Sequence, residues 1–173
     1  NLGEALITNA PKSKARAVVL STPHGLVRTP AFMPVATKGA VKTISTPELR
    51  ELGTEMIIAN AFHLHLSPGE ETVRRAGGLH SYMKWDGALI TDSGGFQLFS
   101  LGSLKKITEE GAHFQSHLDG SSHFFTPERV VEIQEELGAD IAMVLDECIP
   151  YPESPGYVKA STERTLPWAE RSL

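Results

Sequence analysis

Three runs, "EMIIAN", "GALITD" and "DIAMVLD", constrain the fold more than any other feature of the chain. Each is apolar on successive positions and then ends on a polar side chain: Asn60, Asp92 and Asp146. Continuous rather than alternating apolarity means a strand covered on both faces. Segments of helical character lie between the runs. "STPELRELG" offers Ser45 or Thr46 as a cap, Pro47 for the first turn and Gly53 as a stop. "SPGEETVRRAGG" opens at Pro68, carries acids early and Arg74-Arg75 late, and stops at Gly77-Gly78, the polarity a helix dipole favours. "TPERVVEIQEELG" places Val130, Ile133 and Leu137 on one face. Doubly buried strands alternating with helices imply an α/β protein with a parallel sheet, whose strand carboxyl ends carry the chemistry. Asn60, Asp92 and Asp146 are therefore expected to converge on one site.

The remaining segments fit around this core. Ala15 to Thr22 and Thr29 to Val35 read as two short strands joined across Pro23-His24-Gly25. "HFQSHLDGSSHFF" reads as a hairpin around Asp119-Gly120. "GYVKASTERTLPWAERSL" reads as a helix that Pro167 kinks or breaks. Helix is expected after each of the three polar strand ends. Two architectures remain open for 173 residues. A complete doubly wound sheet fits the length. About half of a (β/α)8 barrel, which needs ~250 residues in full, fits a chain whose first residue is Asn1 and not Met. Either is expected to form a single domain over residues 1–173.

Composition excludes several classes. No run approaches the ~18 apolar residues of a membrane span, so no membrane partner is expected. No basic-then-apolar leader opens the chain, so secretion is unsupported. Cys148 is the single cysteine, which rules out an internal disulfide and suits a reducing cytoplasm. A net charge of −5 argues against this segment alone gripping nucleic acid strongly, although a local basic patch is compatible with it.

The richest motif is "TDSGGFQ" at the end of the second run. Gly94 and Gly95 after a strand let a flat ligand approach the backbone and expose peptide N–H donors. Asp92 offers an acceptor or a base, Phe96 an aromatic face, and Asp146 a second acceptor from another strand. Two carboxylates and a ring suit a planar, donor-rich base such as a guanine, whose N1–H and exocyclic amine one carboxylate accepts together. The competing reading is a tight turn that merely caps the next helix. The chain has neither a GxGxxG nor a P-loop motif, so a phosphate cradle is weakly supported.

"TDSGGFQ", "VLDECIPYP", "FMPVATKGAVK" and "NAFHLHLSPGEE" resemble the queuine/preQ1 tRNA-ribosyltransferases, or tRNA-guanine transglycosylases, of the bacterial kind. The resemblance covers nearly the whole chain. It implies the amino-terminal portion of a (β/α)8 TIM barrel. It also implies replacement of guanine at the tRNA wobble position by a 7-deazaguanine (preQ1 or queuine), in queuosine biosynthesis. Under it, Asp92 contacts the base and accepts a proton. Ser93, Gly94, Gly95 and Phe96 complete the substrate loop, with Phe96 stacking on the base, and Asp146 recognises the ring's donor edge. Val35, Asn60 and Cys148 line or support the pocket. The family's nucleophilic aspartate, and its zinc ligands, three cysteines in C-x-C-x-x-C with a later histidine, fall beyond Leu173. The resemblance thus implies zinc only for the full-length enzyme, no catalytic metal held by this chain, a homodimer in full-length form, and no exchange by the isolated 173 residues.

Two other readings are open. One is a non-catalytic tRNA-binding subunit of the same family, against which intact "TDSGGF" and "LDEC" argue. The other is a metal-dependent hydrolase using His63 and His65, an H-x-H just after a strand; the bland alternative is packing histidines. Lys105-Lys106 and Arg74-Arg75 read as solvated faces. Cys148 reads as a buried small hydrophobe, since no base adjoins it.

Overall fold

The computed structural model describes residues 6–9, 13–101 and 105–173, the first of these as backbone alone. Residues 1–5, 10–12 and 102–104 of the expected 1–173 domain lie outside the described residues. Among the described residues the chain is a mixed α/β protein with three separate three-stranded sheets. β1 (Leu6–Asn9), β2 (Arg16–Thr22) and β3 (Gly25–Thr29) form an antiparallel meander. The tip of its second hairpin is Pro23-His24, closed by Gly25 at φ +121°, a conformation that favours glycine. The second strand of that hairpin therefore runs over Gly25–Thr29, not over Thr29 to Val35 as the sequence suggests. Pro30 and Pro34 interrupt the latter stretch because neither has an N–H for a ladder, and only Val35 keeps a parallel bridge, to Ile58.

The central sheet is β4 (Met56–Asn60), β5 (Ala88–Asp92) and β9 (Ile141–Ala142), all parallel and in chain order. Its register pairs Ile57 with Leu89, Ile58 with Ile90, and Asn60 with Asp92. Ile57, Ala59, Ala88 and Leu89 are buried, as continuous apolar runs require. The third run departs from expectation, since "DIAMVL" pairs only at Ile141 and Ala142. Beyond them the Met143 N–H keeps only a long bond, 3.3 Å, to the Thr91 carbonyl of β5, and the side chain of Gln134 bonds both this N–H and the Met143 C=O at 2.9 Å, so a carboxamide takes up most of what a ladder would use. Met143 and Val144 are accordingly exposed.

Seven helices are described; two of them contact the central sheet, and three more pack on one of those two. α1 (Thr46–Glu51) starts at a capping box in which Glu48 accepts from the Ser45 backbone at 2.7 Å. "NAFHLHL" turns directly into α2 (Ala61–Leu66). The expected helix at Pro68 begins two residues later, as α3 (Glu70–Arg75), and a new one, α4 (Gly78–Met83), follows where a stop was read. Consecutive left-handed glycines, Gly77 and Gly78, turn the chain without ending helical structure. α5 (Gly95–Ser100) follows β5. β6 (Lys105–Ile107), β7 (Ala112–Gln115) and β8 (Ser122–Phe125) make the third sheet, which contains the expected Asp119-Gly120 hairpin. α6 (Pro127–Leu137) buries Val130, Ile133 and Leu137, each stabilising by roughly 1.5–3 kcal/mol. α7 (Pro155–Arg171) contacts α6 and runs on through Pro167 without a break. It follows Asp146 only after an irregular stretch, so helix does not adjoin every polar strand end. Trp168 is buried and its indole N–H donates to the Glu109 carbonyl at 2.8 Å.

Candidate functional site

The site is set by register. Parallel pairing of Asn60 with Asp92 puts a carboxamide and a carboxylate side by side where two buried strands end. Asn60 is 8 % exposed, and its Nδ2 donates to Asp92 Oδ2. Gln97 Nε2 donates to the same oxygen at 3.1 Å, from the first turn of α5. Ala61 N–H, the first of α2, donates to Oδ1 at 3.1 Å. Burial pushes the Asp92 carboxyl above the usual aspartate range, while these donors and nearby His63 pull it back. The result is a partly buried carboxylate that is oriented and made more basic than a free one.

The glycines do two different jobs. Gly94 sits at φ +87°, where the chain leaves the strand for α5. Gly95 has no unusual backbone angle, but a Cβ there would lie 2.5 Å from the Asp146 carbonyl oxygen and nearer still to its carboxylate. The bare backbone thus admits the segment that carries Asp146. Ser93, next to Asp92 in the chain, ties this loop to Asp146: its hydroxyl donates to Asp146 Oδ1 at 3.1 Å and accepts from Gly95 N–H at 3.3 Å. Phe96 follows Gly95 and stands 65 % exposed, touched by Phe99 in a tilted contact. A ring held in the open next to two acceptors can stack on a planar ligand whose edge carries N–H donors.

The structure thus brings together Asp92, Ser93, Gly94, Gly95, Phe96 and Asp146. Asn60 belongs with them through its bond to Asp92. Val35 is half exposed and Cys148 partly buried, and neither bonds to these residues among the described contacts. Sequence reasoning gave Gln97 no role, though it stood inside the motif. Its signal is position: a carboxamide one helical turn past the strand end faces back to it. Its Oε1 is the one buried side-chain oxygen or nitrogen without a partner among the described residues. Gln134 was also missed, because "EIQEEL" reads as a polar helix face until the neighbouring strand is known.

The histidines of the H-x-H do not form a joint ligand pair. His65 Nδ1 bonds Glu70 at 2.8 Å and Nε2 bonds His123 at 3.0 Å, so both its nitrogens are engaged. His63 packs against Phe62 and His117, and burial holds its imidazole below the usual range. No hydrolase metal site is assembled from His63 and His65. Nor does a chain with one cysteine contain a thiolate set for a structural zinc. An apolar concavity of about 690 Å³, lined by Phe32, Val35, Leu49 and Leu52, lies apart from both carboxylates. Arg74 and Arg75 meet Glu136 and Glu71 at 3.6 and 2.5 Å, as solvated faces do. No described helix is long and apolar enough to cross a membrane.

A family profile described as "Queuine tRNA-ribosyltransferase" matches residues 11–173. A protein of that name from Thermoanaerobacter pseudethanolicus is 55% identical over 166 residues, 96% of this chain and 44% of the relative. One from Desulforudis audaxviator is 57% identical over 161 residues, 93% of this chain and 43% of the relative. One from Pelotomaculum thermopropionicum is 58% identical over 157 residues, 91% and 42% respectively. The chain spans less than half the length of these curated relatives. With the motif residues gathered at one strand edge and the match running to Leu173, this chain belongs to the queuine tRNA-ribosyltransferase family.

Proposed function

We propose that this chain supplies the base-recognising part of a tRNA-guanine transglycosylase, which exchanges guanine at the tRNA wobble position for a 7-deazaguanine. The observation that carries the reading is that the loop leaving Asp92 is bonded to Asp146 through the Ser93 hydroxyl, with Phe96 exposed in the same loop. Phe96 stacks on the base and Asp146 accepts from the ring's donor edge. Asp92 takes a ring proton from the incoming base, which makes that base nucleophilic toward a ribosyl intermediate. Asn60, Gln97 and the Ala61 N–H are positioning groups that hold the carboxylate until the base replaces some of their bonds. The covalent nucleophile is a different aspartate, outside these residues, and the zinc of the full-length family is held by cysteines and a histidine this chain does not provide.

The sheet favours the barrel over the doubly wound alternative. Strands β4, β5 and β9 add in chain order in one direction, with Val35 bridging on the far side of β4. A doubly wound sheet reverses its order at a switch point, and these strands do not. We read residues 1–173 as one unit of that barrel. The partners follow from the reading: tRNA, the purine-like base, and a second copy in the full-length homodimer, in the cytoplasm.

The test is Asp92→Asn in the full-length context, assayed by labelled guanine exchange into tRNA. Packing is preserved because the side chains are nearly the same size, but the base is lost. Exchange should fall by ~10²–10⁴-fold, the usual worth of a positioned proton acceptor. Turnover within a few-fold of the parent would show that Asp92 only caps its turn.

A further inference from the structure

At the opposite ends of the same strands, three side chains far apart in sequence meet. His24 comes from the tip of the β2–β3 hairpin, His80 from α4, and Asp140 from the residue before β9. The two imidazoles stack with centroids 3.5 Å apart. His24 Nδ1 lies 2.6 Å from Asp140 Oδ1, and His80 Nε2 lies 3.5 Å from Asp140 Oδ2. One donor atom from each residue falls within 4.8 Å of the others. Among the described residues this is the one such group of three histidine, cysteine or acidic side chains. We propose that His24, His80 and Asp140 form a binding site for a divalent transition-metal ion that fastens the hairpin to the base of the central sheet.

The donor set selects the kind of ion. Two imidazole nitrogens and one carboxylate oxygen suit zinc, cobalt or nickel, and not magnesium or calcium, which take oxygen ligands. The carboxylate is already oriented: Asp140 is 2 % exposed at its side chain, and its Oδ2 accepts from Leu89 N–H at 2.8 Å. That leaves Oδ1 as a single ligand oxygen, with its outer partner in place. His80 Nε2 also lies 3.0 Å from the Gly87 carbonyl, so without an ion this nitrogen holds its proton toward a backbone acceptor, and ligation through it releases that proton and breaks that bond. His24 is 40 % exposed at its side chain and gives an ion a path from solvent.

Binding requires one imidazole to turn, because the rings stack 15° from parallel and an ion in the plane of one lies out of the plane of the other. Bonds of about 2.0–2.1 Å in a tetrahedron separate two donors by roughly 3.3 Å, so the 2.6 Å contact of His24 with Asp140 must open by roughly 0.7 Å. The exposed hairpin tip can move by that amount. The fourth position is left to water. The site does not touch the base pocket: three residue steps along β5, about 10 Å of strand, separate Leu89 from Asp92.

Cobalt(II) is the probe, because tetrahedral coordination gives it strong visible absorption. The purified chain titrated with Co²⁺ should bind about one equivalent with that spectrum. His24→Ala and Asp140→Asn should each weaken binding by at least roughly tenfold, since losing even an outer partner costs that much. His113→Ala, an exposed histidine on the third sheet, should leave binding unchanged. Excess Zn²⁺ should raise the unfolding temperature of the parent and not of His24→Ala. No tetrahedral cobalt spectrum from the parent, or equal titrations for the parent and His24→Ala, would overturn the site and leave the cluster a hydrogen-bonded clasp.

Discussion

Replacing Gln134 by Leu tests whether a single carboxamide holds the third polar strand end in place. Gln134 is fully buried in α6 and its side chain makes four bonds. Oε1 accepts from Thr91 Oγ1 and from Met143 N–H, both at 2.9 Å. Nε2 donates to the Met143 carbonyl at 2.9 Å and to the Val130 carbonyl at 3.1 Å. Leucine fills a similar volume but bonds to nothing. The Val130 carbonyl loses little, because its helical partner remains. The Thr91 hydroxyl and the Met143 carbonyl lose their bonds to the carboxamide, while Met143 N–H keeps a long one, 3.3 Å, to the Thr91 carbonyl. Two orphaned groups at about 1–3 kcal/mol each and one weakened by about 1 kcal/mol, less about 1–2 kcal/mol for leucine burial and for water reaching exposed Met143, leave a net loss of about 1–6 kcal/mol. Urea unfolding of the variant and parent measures it. Hydrogen exchange should localise the loosening to Met143 and the residues leading to Asp146. A loss below about 1 kcal/mol, or protection unchanged at Met143, would refute the idea that Gln134 substitutes for a strand partner.

Further outcomes are expected. Asp146→Ala in the full-length context should weaken base binding by roughly ten- to a hundredfold, the worth of a charged acceptor at ~1.5–3 kcal/mol, with tRNA docking little changed; an unaltered Michaelis constant for the base would count against it. Gly95→Ala should destabilise by about 1–3 kcal/mol although alanine is the better helix former, because its methyl meets Asp146; a gain in unfolding temperature would remove the close-approach argument. The raised Asp92 carboxyl gives a pH signature. A group whose folded value is raised favours the fold below its ordinary range, near ~3.9, and loses that contribution as pH rises through the folded value. Asp92→Asn does not titrate, so its stability relative to the parent should grow between about pH 4 and neutrality, read as a difference in unfolding temperature at each pH. A difference that stays flat or shrinks would sink this.

How far the sequence foretold these features depended on the range of the forces involved. Continuous apolarity in "MIIA" and "ALI" reports burial on both faces directly, so β4 and β5, and the meeting of Asn60 with Asp92, were legible. The same logic overextended β9, because the competing bond donor, Gln134, lies in another element and carries no local mark. Proline chemistry at Pro30 and Pro34 was readable and should have shortened the second hairpin strand. At Pro167 the same rule misled, since α7 continues there. The residues of "TDSGGF" and Asp146 stood out by type. The roles of Gln97 and Ser93 depend on which oxygen each one reaches, and spacing alone does not encode that.

The pairing of Asn60 with Asp92 has a consequence for how such a chain can change over time. Ile57 and Leu89 have side chains in the buried apolar core, so many aliphatic exchanges there keep the ladder. Adding or deleting one residue within β4 is different: it turns Asn60 to the other face and takes its amide away from Asp92. Inside these strands, drift in side-chain identity is tolerated while drift in length is not. Insertions and deletions in descendants of this sequence should therefore fall in connections such as Leu118–Gly120, where the hairpin tip is open and the Asn60–Asp92 pairing does not depend on the residue count.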